Sequence, residues 1–136
     1  MAQDHDAYGK TVLRKAAGAS CRNDSAFLRT SYGNSHSRID GAVGDTIAVE
    51  IESRTGKQVR GALLDLVLHS YPKKLMILIP MYIGRHQLAE CEFILKRFLN
   101  EDDFRVVLLD GTGHNPGEEN DVIKVKRALN DLGWIG

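Results

Sequence analysis

Two nearly continuous apolar runs in the second half of the chain constrain the fold most. They cover residues 75–80 and 104–110. Runs of this length and character are typical of strands buried on both faces of a parallel sheet, because crossover helices cover both sides. The segments 85–100 and 118–132 carry apolar residues at helical spacing, so they predict the helices that alternate with those strands.

The first half of the chain predicts a different pattern. A helix is expected over residues 6–17, and the Ser-, Asn- and Gly-rich stretch 18–37 is expected to be a loop. Two short strands, 38–43 and 47–53, flank the turn residues Gly44 and Asp45 and predict a β-hairpin.

A third helix signal follows the hairpin. Thr55 and Gln58 match a capping box, which predicts a helix from there to about His69. The expected order is therefore α-β-β-α-β-α-β-α. It predicts an α/β fold with a central mixed sheet of about four strands flanked by helices, antiparallel at the hairpin and parallel behind it. A chain of 136 residues without a linker or repeat fits a single domain over residues 1–136.

Several classes of protein are disfavoured by composition. No run of about 18 apolar residues is present, so no transmembrane helix and no membrane partner are expected. The N-terminal residues lack the basic and apolar regions of a signal peptide. Cys21 and Cys91 make neither a disulfide framework nor a zinc pattern. Together these features predict a cytoplasmic protein.

The charge is balanced overall but unevenly distributed. Residues 1–74 hold eleven Lys/Arg against eight Asp/Glu, and residues 75–136 hold seven against ten. Three of the eight acids in the first half are Asp40, Glu50 and Glu52. An acidic pocket in basic surroundings suits a metal site that faces a polyanion, whereas scattered solvated charges are the simpler alternative.

Side-chain alternation groups the acids of the hairpin. Along residues 46–53, Glu50 and Glu52 share one strand face with Ala48. A two-residue turn would send Asp40 to the opposite, apolar face, whereas a three-residue turn would place Asp40 directly opposite Glu50. We expect the three-residue turn, because burial of an isolated Asp beside Ile and Val is costly.

Three crowded carboxylates repel one another unless a counter-charge is present. Mg²⁺ resolves such crowding, since it binds one or two carboxylates together with water and phosphate oxygens. The alternative is that Glu50 and Glu52 lie on a solvated strand face, paired with Arg38, Arg54 or Lys57.

The order of elements over residues 6–110, with Ile39-Asp40 and Val49-Glu50-Ile51-Glu52, resembles the PD-(D/E)xK nuclease superfamily, in the Glu-x-Glu variant of some type II restriction endonucleases. The resemblance implies a restriction-endonuclease-like fold in which Asp40 and Glu50 hold Mg²⁺ or Mn²⁺. It departs from the family at Glu52, which stands where a Lys that activates the attacking water is usual.

The departure at Glu52 leaves alternatives open. Glu52 is either a further ligand or the base that deprotonates water, or the site is degenerate. Lys57 and Arg60 are candidates for the missing positive charge, and Gln58 for a polar group of the same helix. Each also has a simpler role, Gln58 in the capping box and the two cations as surface charges.

Three functions therefore remain open. The first is metal-dependent hydrolysis of DNA phosphodiesters, with a homodimer suited to duplex cleavage. The second is a degenerate nuclease fold that binds DNA or a protein. The third is a small-ligand or nucleotide-binding protein that uses the loop from Asp110 to His114, where glycines follow a strand.

Overall fold

The computed structural model describes residues 6–22, 38–113 and 117–135. They form four α-helices and one sheet of five strands. The elements are α1 (Asp6–Ala17), β1 (Cys21–Arg22), β2 (Gly41–Val43), β3 (Ile47–Glu52), α2 (Lys57–Leu68), β4 (Lys73–Leu78), α3 (Arg85–Lys96), β5 (Phe104–Leu108) and α4 (Glu118–Asp131). None of these helices has the length and apolar character needed to cross a membrane.

The five strands lie side by side in chain order. β1, β2 and β3 pair antiparallel, whereas β3, β4 and β5 pair parallel. The predicted α/β class and mixed sheet are thus confirmed. The carboxyl ends of β3, β4 and β5 meet at one edge, which we call the carboxyl edge, and this is where sheets of this kind often carry a site.

Helices cover both faces of the sheet. One apolar core joins α1 and α4 to the face that carries Val49 and Ile51. A second core joins α2 and α3 to the face that carries Ala48 and Met76. Because side chains alternate along a strand, Glu50 and Glu52 share the face of Ala48.

Helix α1 approaches β3 closely at Gly9. A Cβ atom at this position would lie 2.5 Å from Cγ2 of Ile51, a distance that real side chains do not adopt. Glycine therefore allows the contact, and the first turns of α1 reach the carboxyl end of β3.

The strand predictions were wrong in two respects. The sheet has five strands rather than four, because Cys21 pairs with Val43 inside the stretch predicted to be a loop. A strand of two residues is too short to show the alternation of buried and exposed side chains that marks a strand in a sequence. Only its pairing with β2 identifies it. The first strand of the hairpin also begins at Gly41 instead of residue 38, because the carboxylate of Asp40 accepts the hydrogen bond from the N–H group of Ile51.

Two helix ends also differ from prediction. The residue before α2 is Gly56, with φ 65°, and no side chain caps this helix, so the capping box of Thr55 and Gln58 is wrong. Helix α3 ends at Lys96 rather than near residue 100, and the next residues form tighter turns. Phe98, which lies in the segment predicted to be helical, is 66% exposed.

Candidate functional site

The hairpin register brings Asp40 beside Glu50. Val43 pairs with Ile47, which confirms the three-residue turn. The N–H of Asp40 donates to Oε1 of Glu50 at 2.8 Å, and the N–H of Ile51 donates to Oδ2 of Asp40 at 2.7 Å. Each carboxylate is therefore fixed by the backbone of the opposite chain segment.

Burial changes the protonation of this pair. Glu50 is only 6% exposed. Its burial, followed by the negative charges of Asp40 and Asp65, raises the pKa of Glu50 to about 10. Burial also raises the pKa of Asp40, although the N–H of Ile51 and the ammonium group of Lys10 oppose the rise. The pair therefore carries a proton at neutral pH unless another positive charge replaces it.

Glu52 is buried on the same strand face but is already engaged. Its Oε2 accepts the N–H groups of Ser53 at 3.0 Å and Arg54 at 2.8 Å, and the guanidinium of Arg54 binds both carboxylate oxygens. Because Glu50 and Glu52 are 6% and 4% exposed, the alternative of a solvated strand face is wrong, although its proposed pairing with Arg54 occurs.

The two candidate cations of α2 are not in contact with the carboxylates. Lys57 and Arg60 are exposed, and neither side chain forms a hydrogen bond or ion pair within the described residues. Arg60 borders an apolar groove between α2 and α3, together with Leu64 and Phe98. Gln58, at the start of the same helix, is also exposed.

Helix α1 contributes residues that the sequence pattern did not single out. Oγ of Ser53 donates to Oδ1 of Asp6 at 3.4 Å, which ties the first turn of α1 to the end of β3. Lys10, one turn further along, lies close enough to lower the pKa of Asp40. No sequence signal identifies these residues, because the close contact at Gly9 that brings them here is tertiary.

The acids of the hairpin supply part of the ligand set that a divalent cation needs. Among the residues that the structure describes, no group of three or more His, Cys, Asp or Glu is arranged to hold a metal ion. Asp40 and Glu50 supply two adjacent carboxylates, which suits Mg²⁺ because it keeps several waters and accepts substrate oxygens. Glu52 does not fit as a third ligand while Arg54 occupies its oxygens.

The loop after β5 has a different construction. Its backbone N–H groups at Asp110 and Gly111 donate to the carboxylate of Asp121, at 2.6 and 3.0 Å. The hydroxyl of Tyr8 donates to the same carboxylate at 2.6 Å. The carboxylate of Asp121 thus accepts the hydrogen bonds from the backbone N–H groups that a bound phosphate would need. This disfavours the predicted nucleotide site. His114 lies outside the described residues.

The carboxyl edge therefore carries one pair of acids suited to a cation and one buried acid that closes a loop. The first pair is Asp40 and Glu50, with the ion pair of Glu52 and Arg54 beside it. Comparison of the chain with protein-family models, curated proteins and solved structures finds no match.

Proposed function

We propose that this protein hydrolyses phosphodiester bonds of DNA with the help of a divalent cation. The observation that carries the proposal is the close pair of half-buried Asp40 and buried Glu50, whose carboxylates repel each other when both are ionised. Without a cation, two carboxyl groups at close range resist ionisation, and this lowers the stability of the fold. Binding of a cation would explain why the two groups nevertheless lie together. The order of elements and the resemblance to PD-(D/E)xK nucleases support the same proposal.

In this proposal Asp40 and Glu50 hold Mg²⁺ or Mn²⁺. Such a cation, when bound, polarises a phosphodiester oxygen and lowers the pKa of a water molecule. Glu50 must release its proton for the pair to bind at full charge, and the N–H donors of Asp40 and Ile51 keep both carboxylates in place. Lys10 stands near Asp40 and can stabilise an anionic phosphate.

Glu52 has a narrower role than the resemblance implies. To orient or deprotonate water, its carboxylate would have to release Arg54, whose side chain is 60% exposed and can itself contact a phosphate. Lys57 has no partner within the described residues and is available to a substrate from the start of α2. Arg60, which borders the α2–α3 groove, is a weaker candidate for the same role.

The ion pair of Glu52 and Arg54 favours one alternative, a degenerate nuclease fold that binds DNA without cleaving it. In that case the position usually held by a catalytic Lys serves only to anchor Arg54. The two strands of a duplex are related by approximate two-fold symmetry, so hydrolysis of duplex DNA would favour a symmetric pair of sites in a homodimer.

The proposal is tested by incubating the protein with supercoiled plasmid and with single-stranded DNA in Mg²⁺, Mn²⁺ or EDTA. We expect nicking that requires the cation and falls at least about 100-fold in Asp40→Ala, since a cation supplies several kcal/mol of transition-state stabilisation. Asp45→Ala, an exposed acid in the hairpin turn, is the matched control and should retain activity. Cation-independent nicking, or equal activity in both variants, would contradict the proposal.

A further inference from the structure

A groove of about 490 Å³ follows β5 between α3 and α4. β5 is the last strand of the sheet, so no strand pairs with its outer side within the described residues. The charged side chains that border this groove, hereafter the β5 groove, are Arg85, Arg105, Lys124, Arg127, Asp110 and Asp131. Four cations against two acids give it an excess of two positive charges.

The two acids of the β5 groove are already neutralised. Lys124 pairs with Asp110 at 2.8 Å, and Arg105 lies 3.5 Å from Asp131. Arg85 and Arg127 form no ion pair or hydrogen bond with any residue that the structure describes. The excess charge therefore resides on these two arginines, on opposite walls of the groove.

Arg85 occupies an unfavourable position for a cation. It is the first residue of α3, and the first turn of this helix contains no acid. A positive charge at a helix N-terminus is destabilised by the helix dipole. An anion bound in the β5 groove would offset this cost.

The outer side of β5 is closed to a further strand at both ends. Nη1 of Arg105 donates to the carbonyl of Phe104 at 2.7 Å, and Nζ of Lys124 donates to the carbonyl of Leu108 at 3.1 Å. Cationic side chains that bind edge carbonyls prevent strand addition. The β5 groove thus favours a polyanion over an extended peptide.

Its position connects the groove to the proposed active site. Asp110 follows β5 at the carboxyl edge, two strands away from Glu52. Adjacent strands are about 4.8 Å apart, so this end of the groove lies on the order of 10 Å from the end of β3. A nucleic-acid backbone, with its closely spaced charges, can span that distance.

We propose that the β5 groove binds the phosphate backbone of DNA beside the bond presented to Asp40 and Glu50, with Arg85 and Arg127 as the phosphate contacts. This inference rests on the proposed function for the path of the DNA, but it concerns binding rather than cleavage. It can therefore be tested in EDTA, where a cation-dependent reaction does not proceed.

The probe is a fluorescein-labelled DNA duplex of mixed sequence, titrated with protein in EDTA from 50 to 200 mM salt and followed by anisotropy. We expect the double variant Arg85→Gln/Arg127→Gln to bind at least about tenfold more weakly at 50 mM salt. Its slope of log affinity against log salt should be smaller by about two, one for each lost phosphate contact.

The matched control is Arg14→Gln/Arg97→Gln, which removes the same charge from two exposed arginines at the C-terminal ends of α1 and α3. It should lose less than about threefold. Equal weakening in the two double variants, or no binding by the wild type at 50 mM salt, would overturn the inference. DNA binding that depends on Arg85 and Arg127 without any plasmid nicking would support this inference and contradict the proposed hydrolysis.

Discussion

Glu50→Gln is expected to stabilise the cation-free protein by about 3 kcal/mol at pH 7. Burial and the nearby acids raise the pKa of Glu50 from 4.5 to about 10, so folding at pH 7 requires proton uptake. At pH 7 the solution is 2.5 pH units above the ordinary pKa of 4.5 that Glu50 has in the unfolded chain. Each unit corresponds to about 1.36 kcal/mol in the free energy of unfolding. Glutamine resembles the protonated acid and can still accept the N–H of Asp40, without that cost.

The sign of the effect fixes its pH dependence. For a carboxyl group with a raised pKa, the unfolded chain loses its proton first, so stability is greatest below pH 4.5 and falls as the pH rises toward 10. The raised pKa of Asp40 acts in the same direction. Burial lowers the pKa of Lys74 to about 8, so Lys74 acts in the opposite direction and raises the stability between pH 8 and 10.5. The effect of Glu50 is therefore measured below pH 8.

Urea unfolding in EDTA at pH 5 and pH 7.5 measures this effect. The gain from Glu50→Gln should be under about 1 kcal/mol at pH 5 and about 3 kcal/mol or more at pH 7.5. Glu92→Gln, an exposed change on α3, should show no such difference. A Glu50→Gln protein no more stable than wild type at pH 7.5 would contradict the assigned protonation.

Asp121→Ala is expected to destabilise the protein by about 4 kcal/mol, since it leaves three donors without an acceptor. Asp121 is fully buried at the start of α4 and accepts bonds from Tyr8, Asp110 and Gly111. It thereby joins α1, the loop after β5 and α4. Thermal unfolding should show a Tm lower by roughly 10 °C.

Two further variants distinguish this explanation from a general effect on α4. Tyr8→Phe removes one of the three bonds and should cost about 1 kcal/mol. Asp131→Ala removes an exposed acid from the other end of α4, paired with Arg105 at 3.5 Å, and should cost less than about 1 kcal/mol. Similar losses in Asp121→Ala and Asp131→Ala would refute the structural role given to Asp121.

Local patterns in the sequence were sufficient for most of the fold. The helix over residues 6–17 follows from apolar periodicity, the parallel strands around residues 75–80 and 104–110 follow from nearly continuous apolar runs, and the structure has all three at nearly the same positions. The opposition of Asp40 and Glu50 could also be predicted, because burying a lone carboxylate among Ile and Val is costly enough to fix the hairpin register.

The remaining features depend on contacts between distant segments. Tyr8 and Asp121 are 113 residues apart, so no local pattern predicts their hydrogen bond. The influence of Lys10 on the pKa of Asp40 depends on the close approach of α1 to Ile51 that Gly9 allows. The hydrogen bonds and the ion pair between Glu52 and Arg54 depend on the turn of the chain after β3. Side-chain alternation along the strand does not predict them.

The central claim is that Asp40 and Glu50 form a divalent-cation site, and titration with Mn²⁺ followed by electron paramagnetic resonance tests it most directly. Because the bound pair must lose a proton, we predict one bound ion with an affinity that rises about tenfold from pH 6 to pH 7. Asp40→Ala and Glu50→Gln should abolish that binding, and Asp45→Ala should preserve it. A folded wild-type protein that binds no Mn²⁺, or binds it equally well in all three variants, would contradict the claim.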